Sequence, residues 1–271
     1  MKLSVLVRCS DDWRVLACLD SIDVDCDVVV SLTPNAGIED AIRKRKLPYE
    51  ISPKGNPAAT TLAALPLIRY QRVLLVDSDC IFVPGAIYRM SELGKCHDIV
   101  RPKIDFENRC FSTRLTALAR DFQYNYCGFV YEPGLLINLS AVLPLVGGYL
   151  FSPLAPFTPD GELDYRIRRL TTGYRLRIAD DDGVTLRHAA LHYRQHLYSH
   201  YRYGRSEATR MLLLRQEVLL DFLRGLKYRY GSLVSGQYQA LTFFAVLGSD
   251  IVYVVSIVVW HLVVTRWLKR Y

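Results

Sequence analysis

The sequence predicts an α/β protein with a mostly parallel central sheet flanked by helices and an apolar helical segment at its C-terminal end. Three observations carry this expectation. Short β-branched runs alternate with stretches of helical spacing through the first part of the chain. The strongest run, Arg72 to Val76, ends abruptly in Asp77-Ser78-Asp79. Phe243 to Val264 is apolar for 22 residues, with Asp250 as its only formal charge.

Leu3 to Val7 reads as a buried strand closed by the polar turn Ser10-Asp11-Asp12, and Val15 to Ile22 repeats apolar residues at helical spacing. Asp27 to Leu32 is a second strand, stopped by Thr33-Pro34-Asn35, and Gly37 to Lys46 forms the next helix. Two strand–helix units in succession imply a parallel sheet. Asn56 caps a helix-prone stretch from Ala58 to Tyr70, which Pro66 should kink or split. Arg72 to Val76 then runs into Asp77, followed by Cys80-Ile-Phe-Val and the turn Pro84-Gly85. In open α/β sheets ligands sit outside the carboxyl ends of the strands, so the polar residues there are site candidates.

From about Lys95 to Phe157 short apolar runs are broken by polar and aromatic residues, and Tyr131-Glu-Pro-Gly134 opens a strand from Leu135 to Leu139. Leu163 to Leu170 reads as a basic helix. Tyr174 to Ala179 and Val184 to Arg187 read as two strands, the second ending at His188. The expected organisation is a donor-binding half (1–100), an acceptor-binding and catalytic half (101–210) and a C-terminal helical segment (211–271).

Composition narrows the function classes. The 271 residues are 51% hydrophobic and 23% charged, which fits neither a disordered chain nor a polytopic membrane protein. Lys and Arg number 34 against 27 Asp and Glu, a formal net charge of +7, so anionic partners are expected. No helix-turn-helix, zinc-finger or RNP-type pattern points to nucleic acid. The cysteines (Cys9, Cys18, Cys26, Cys80, Cys96, Cys110, Cys127) number 7, an odd count without a Cys-x-x-Cys pair, which reads as reduced thiols in a cytosolic domain. The apolar run before Arg8 is too short for a signal peptide.

At 1.5 Å per residue, Phe243 to Val264 could cross about 30 Å of hydrocarbon. Basic residues flank it on both sides, so the positive-inside rule gives no orientation. It is expected to associate with a membrane, by spanning, re-entering or lying on it, the alternative being a core or oligomer-interface helix. The expected location is the cytoplasmic face of that membrane.

Asp77-Ser78-Asp79 sets two carboxylates two residues apart where both could reach one hard divalent cation and its diphosphate. The same residues are also ordinary turn chemistry. Lys54 precedes Gly55 and the helix capped by Asn56, where backbone N–H groups and a cation could meet phosphate, although a solvated loop lysine looks the same. His192, His196 and His200 lie four apart on one helical face, without the cysteine or glutamate pattern of a zinc site. The aromatics and cations around them suit an interfacial helix that meets anionic lipid or diphosphate.

The order of strand, helix, strand, the Lys54-Gly55-Asn56 helix, and then Arg72-Val-Leu-Leu-Val-Asp-Ser-Asp-Cys-Ile resembles the nucleotide-binding half of family-two glycosyltransferases of the GT-A (Rossmann-like) fold. Pro159-Asp-Gly-Glu162-Leu-Asp164-Tyr-Arg-Ile-Arg-Arg-Leu-Thr-Thr-Gly173-Tyr-Arg-Leu is similar to that family's acidic segment, and Val184-Thr-Leu-Arg-His188 to the strand whose terminal histidine meets the metal. The resemblance spans roughly residues 3 to 210. It implies that Asp77 and Asp79, with Ser78 between them, bind the donor diphosphate through Mn²⁺ or Mg²⁺, and that His188 completes the metal ligands. It implies Glu162 as general base, with Asp164 as helper or alternative; both could instead cap a basic helix. The implied reaction moves one sugar, with inversion, from a UDP- or GDP-sugar to a glycan or polyprenyl-phosphate acceptor. One departure is that Thr33 and Asn35 stand where the family carries an acidic residue for the base or ribose. The Gln-x-x-Arg-Trp segment of processive members is also absent from the sequence.

Two other readings compete. A sugar nucleotidyltransferase would share the sheet and the cation, but residues 8 to 14, Arg-Cys-Ser-Asp-Asp-Trp-Arg, lack the glycine-rich phosphate loop. A membrane-bound binding or scaffold protein could keep the fold without the catalysis.

Overall fold

The computed structural model describes every residue except 1, 53–55, 127–129, 131–132, 154, 171–175, 215–218, 221–222, 224–229, 232, 234–239 and 269–271. Packing divides the chain into two compact units, Met1–Asp105 with Phe129–Ala189, and Phe106–Gly128 with Ala190–Tyr271. This division falls elsewhere than the segments 1–100, 101–210 and 211–271 suggested by the sequence.

The first unit is α/β. Its strands are β1 (Ser4–Cys9), β2 (Asp27–Leu32), β3 (Tyr49–Ile51), β4 (Arg72–Asp77), β5 (Cys80–Phe82), β6 (Ile99–Phe106), β7 (Leu136–Asn138) and β8 (Ile178–His188). They form one eight-stranded sheet in the order β3-β2-β1-β4-β7-β6-β8-β5. The pairings β3–β2, β2–β1 and β1–β4 are parallel. Those of β4 with β7, β7 with β6 and β5 with β8 are antiparallel.

The two kinds of pairing match two kinds of sequence. β4 is an uninterrupted apolar run because both of its faces are covered, as parallel strands require. β6 alternates, turning Lys103 and Asp105 outward and Ile104 and Phe106 inward, the period-two pattern of a strand covered on one face. On one side of the sheet Leu6, Val29, Val73, Leu75 and Ile137 form the main core with α3 (Pro57–Ala64) and α7 (Pro159–Leu170). The remaining helices of this unit are α1 (Val15–Asp20), α2 (Ala36–Lys44), α4 (Ala86–Cys96) and α6 (Leu139–Val142).

Local chemistry sets the boundaries. Asn35 and Asn56 cap α2 and α3, each side chain accepting a backbone N–H three residues on. Pro66 ends α3 and leaves a single tighter turn, Leu65–Leu67, as its ring predicts. Gly85, at φ 75°, makes the left-handed turn into α4 and donates its N–H to Asp23 at 2.6 Å. Where the sequence suggests two strands, there is one, β8. Its Asp180-Asp181-Asp182-Gly183 stretch, between the two expected strands, stays in the strand, with Asp180 paired to Arg101 and Asp181 to Arg89.

The second unit is helical: α5 (Phe111–Asp121), α8 (Tyr193–Leu214) and α9 (Ala240–Leu268) pack around Ala119, Phe122, Leu233, Ala245 and Val246. α8 and α9 approach closely at Gly204, where an added Cβ would collide with the carbonyl oxygen of Tyr253. The apolar stretch expected to meet a membrane lies within α9. Its one charge, Asp250, is buried and accepts a 2.8 Å hydrogen bond from the Tyr230 hydroxyl. Ser249 and Ser256 are buried as well, while Phe244, Ile251, Val255, Val258, Val259, Leu262 and Val263 are exposed.

Candidate active site

β1 and β4 lie side by side in parallel register with Arg8 opposite Asp77, and the two side chains form an ion pair at 2.6 Å. The Asp77 carboxylate is therefore already engaged by a strand neighbour. Ser78 is buried, and its N–H donates to the Arg8 carbonyl at 2.9 Å, so the chain turns at the carboxyl end of β4. That turn presents Asp79.

β5 follows at once and pairs with β8 so that Cys80 stands opposite His188. Asp79, Cys80 and His188 thus come together, their ligand-type atoms all within 4.8 Å of one another. They form the one such group of three among the described residues. The imidazole has a defined direction. Its Nδ1 lies 2.9 Å from the Ala189 carbonyl, which can only accept, so Nδ1 carries a hydrogen and Nε2 is the ring atom left to face the site. Nε2 faces Asp79 Oδ2 at 3.5 Å. A carboxylate, an imidazole lone pair and a thiol suit a divalent cation of borderline softness. Asp77, expected among the ligands, is not part of this group.

Two arginines line the same edge. Besides Arg8, Arg14 reaches 3.8 Å from Asp79 while holding Asp12 at 2.6 Å. Beside them, at the end of β2, Thr33 is buried with its hydroxyl unpartnered among the described residues. Trp13 is exposed and its ring lies over the start of α2, where a Cβ on Gly37 would meet it at 2.9 Å.

The acidic residues of α7 separate into two kinds. Glu162 is fully buried, and both its oxygens are held by Arg166 at 2.7 Å. Arg166 in turn donates to the carbonyls of Val146, Tyr149 and Leu150 and so ties α7 to the chain before it. Asp164 is buried too; it accepts the Val130 N–H at 2.9 Å and pairs with Arg168 at 2.8 Å. Burial pushes its carboxyl up, with Arg168 opposing. Both carboxylates that the resemblance offers as base are thus engaged by an arginine four residues on in α7, Glu162 by Arg166 and Asp164 by Arg168.

Asp160 differs. It is half-buried in the first turn of α7, accepts backbone N–H groups, from Gly161 at 2.9 Å and from Asp160 itself, and feels the charges of Arg8 and Asp77. Burial raises its carboxyl to about 6, with the Gly161 N–H and Arg8 opposing. Sequence reasoning passed over Asp160, Arg8, Arg14 and Cys80. Two signals were visible: an arginine near the end of an apolar strand and a cysteine directly after Asp79.

The remaining expected residues are placed as follows. Asn56 accepts the Ala59 N–H at 3.0 Å and donates to the Pro153 carbonyl at 3.2 Å, which makes it a cap. Lys54 lies outside the described residues. In the second unit His192 is exposed while His196 and His200 are buried, their rings 4.3 Å apart, so the three do not converge.

No protein-family model matches the chain, and no curated protein matches it. Solved structures do. S. aureus TarS matches with a TM-score of 0.54 at 17% identity, over 89% of this chain and 46% of that one, so the chain spans less than half of its length. S. aureus TarS 1-349 in complex with UDP-GlcNAc matches with a TM-score of 0.52 at 14% identity, over 95% of this chain and 90% of that one. Glucosyl-3-phosphoglycerate synthase from Mycobacterium tuberculosis, in complex with phosphoglyceric acid, matches with a TM-score of 0.51 at 16% identity, over 78% of each chain. At such identities the likeness establishes the fold, which is GT-A-like.

Proposed function

We propose that the chain is a glycosyltransferase that moves one sugar, with inversion, from a UDP- or GDP-sugar to a hydroxyl or lipid-phosphate acceptor, with the aid of a divalent cation. The observation that carries this reading is the approach of His188 Nε2 to Asp79 at the carboxyl edge of the sheet, beside Arg8 and Arg14. A cation and two guanidinium groups at one edge suit a diphosphate. Among the solved relatives of this fold, one carries UDP-GlcNAc, so UDP-sugars are the first donors to test.

Asp79 and His188 would hold Mn²⁺ or a similar ion, which when bound supplies positive charge to offset that building on the leaving nucleoside diphosphate. The chain's own residues do the rest. Arg14, half-exposed, draws the diphosphate in, while Arg8 keeps Asp77 neutralised so that the edge does not repel an anion. The open hydroxyl of Thr33 and the exposed face of Trp13 suit a nucleoside, one by hydrogen bonding and the other by stacking. Lys54, ahead of the helix capped by Asn56, would add a cation for phosphate. Asp160 would take the acceptor hydroxyl's proton, since its raised carboxyl is a stronger base than an ordinary aspartate yet ionised at neutral pH. Direct attack on the face opposite the leaving group inverts the anomeric centre.

The exposed apolar strip of α9 fits association with a membrane, where a polyprenyl-phosphate acceptor would reside. A helix of 27 residues, Ala240–Arg266, containing an 18-residue stretch with a mean hydropathy of 2.1, is long and apolar enough to cross a bilayer.

Titration calorimetry of UDP and GDP with Mn²⁺ tests the donor half of this reading. Binding that weakens about tenfold or more in Arg14→Ala and is lost in chelator supports it. Equal binding with and without the cation, unaffected by Arg14→Ala, contradicts it.

A further inference from the structure

The cation site contains a residue that hard-cation chemistry does not need. Cys80 stands directly opposite His188 across β5 and β8, and its Sγ lies 3.7 Å from Asp79 Oδ1. It is fully buried, whereas the next residue, Ile81, turns outward. The pleat therefore aims the thiol to the same side as the imidazole. The ligands of a tetrahedral zinc, with bonds of about 2.0–2.3 Å, sit roughly 3.3–3.8 Å apart. Sulfur, nitrogen and carboxylate oxygen within 4.8 Å of one another approach that spacing before any ion draws them in.

We propose that Cys80 is a third protein ligand of this site, with Asp79 and His188, and that the site accordingly selects Zn²⁺ or Co²⁺ over Mg²⁺. Soft thiolates favour zinc and cobalt, while Mg²⁺ demands oxygen. The thiol ligates as thiolate, so each ion bound releases one proton from Cys80 to solvent. With three protein ligands a tetrahedral ion keeps one position for a substrate oxygen, the open arrangement of catalytic zinc. The hydrogen bond from His188 Nδ1 to the Ala189 carbonyl is the orienting contact that metal-bound histidines characteristically make. The inference rests on the cation reading of Asp79 and His188 and adds the identity of the ion to it.

The test loads the full chain, stripped of metal, with Co²⁺ and records its absorption. A thiolate-to-cobalt charge-transfer band is expected in the wild type and is lost in Cys80→Ser, together with a drop in Co²⁺ affinity of about tenfold or more. Zn²⁺ should displace the Co²⁺ and abolish the band, and excess Mg²⁺ should not. X-ray absorption of the zinc-loaded wild type gives a reading independent of the variant's folding: one sulfur at about 2.3 Å is expected. Co²⁺ bound without the band, a band that survives in Cys80→Ser, or zinc with no sulfur neighbour overturns the role of Cys80 and leaves the cation site standing. If calorimetry finds neither Co²⁺ nor Mn²⁺ bound, the cation reading falls as well.

Discussion

Carboxylates at the edge of this sheet do three different jobs, and their neighbours decide which. Asp77 holds Arg8, Asp79 faces His188, and Asp160 carries a carboxyl raised to about 6. Asp160→Asn should cut kcat by roughly a hundredfold to ten-thousandfold. The same variant should melt higher at pH 7. A carboxyl raised on folding makes the folded state bind protons more tightly, so its favourable contribution holds below the unfolded value near 3.8 and is lost as pH rises through about 6. Turnover should run the other way, falling as pH drops below about 6, because the base must be ionised; kcat–pH profiles and thermal melts check both. Glu162→Gln should instead cost stability, on the order of 3–5 kcal/mol, because Arg166 stays buried with its partner charge removed. If Glu162→Gln keeps its melting temperature and loses turnover, the base is Glu162 after all. The sequence made α7 legible as an acidic segment but not which carboxylate faces the site. Arg166, four residues after Glu162 on the same helical face, takes that side chain, and a pairing of this kind cannot be told in the sequence from ordinary helix charge patterning.

Among the elements, α9 was the hardest to read. Its composition is apolar around most of its circumference, so nothing in the sequence says which side meets protein. The packing does. Ser249, Asp250 and Ser256 are buried, Ser256 donating to the Tyr201 carbonyl at 2.6 Å, and the aliphatic residues from Ile251 to Val263 supply the exposed face. Gly204 marks the close approach of α8 and α9, so Gly204→Ala should destabilise the helical unit by about 1–3 kcal/mol, read from chemical denaturation. Charges on the open face should act differently. Val255→Glu with Val258→Glu should leave the melt nearly unchanged and abolish co-sedimentation with liposomes; unaltered liposome binding would remove the membrane from the proposed function. Elsewhere, elements were legible where one physical signal dominated: the apolar run of β4, the Asn caps of α2 and α3, the break at Pro66. The short β3 was less so, having too few residues to show a period.

At the scale of the molecule, the parallel half of the sheet follows from the sequence, since strand and helix alternate there with crossovers of ordinary length. The antiparallel half does not, because β7 and β8 reach their places only after long excursions in the chain, and which strand they join depends on packing rather than on local pattern. His188 illustrates the consequence. The sequence puts a histidine at a strand end, and only the pairing of β5 with β8 brings it beside Asp79, more than a hundred residues earlier in the chain. In the proposed function this juxtaposition serves nucleotide-sugar chemistry. Release of free nucleotide from a panel of UDP- and GDP-sugars, measured with Mn²⁺, Co²⁺ or Zn²⁺ and in chelator, tests it most directly. Slow, metal-dependent hydrolysis of at least one donor is expected, reduced on the order of a thousandfold or more in Asp79→Ala while the fold is retained. Donors that bind but are never turned over with any cation, or turnover that is unchanged in Asp79→Ala, would contradict it.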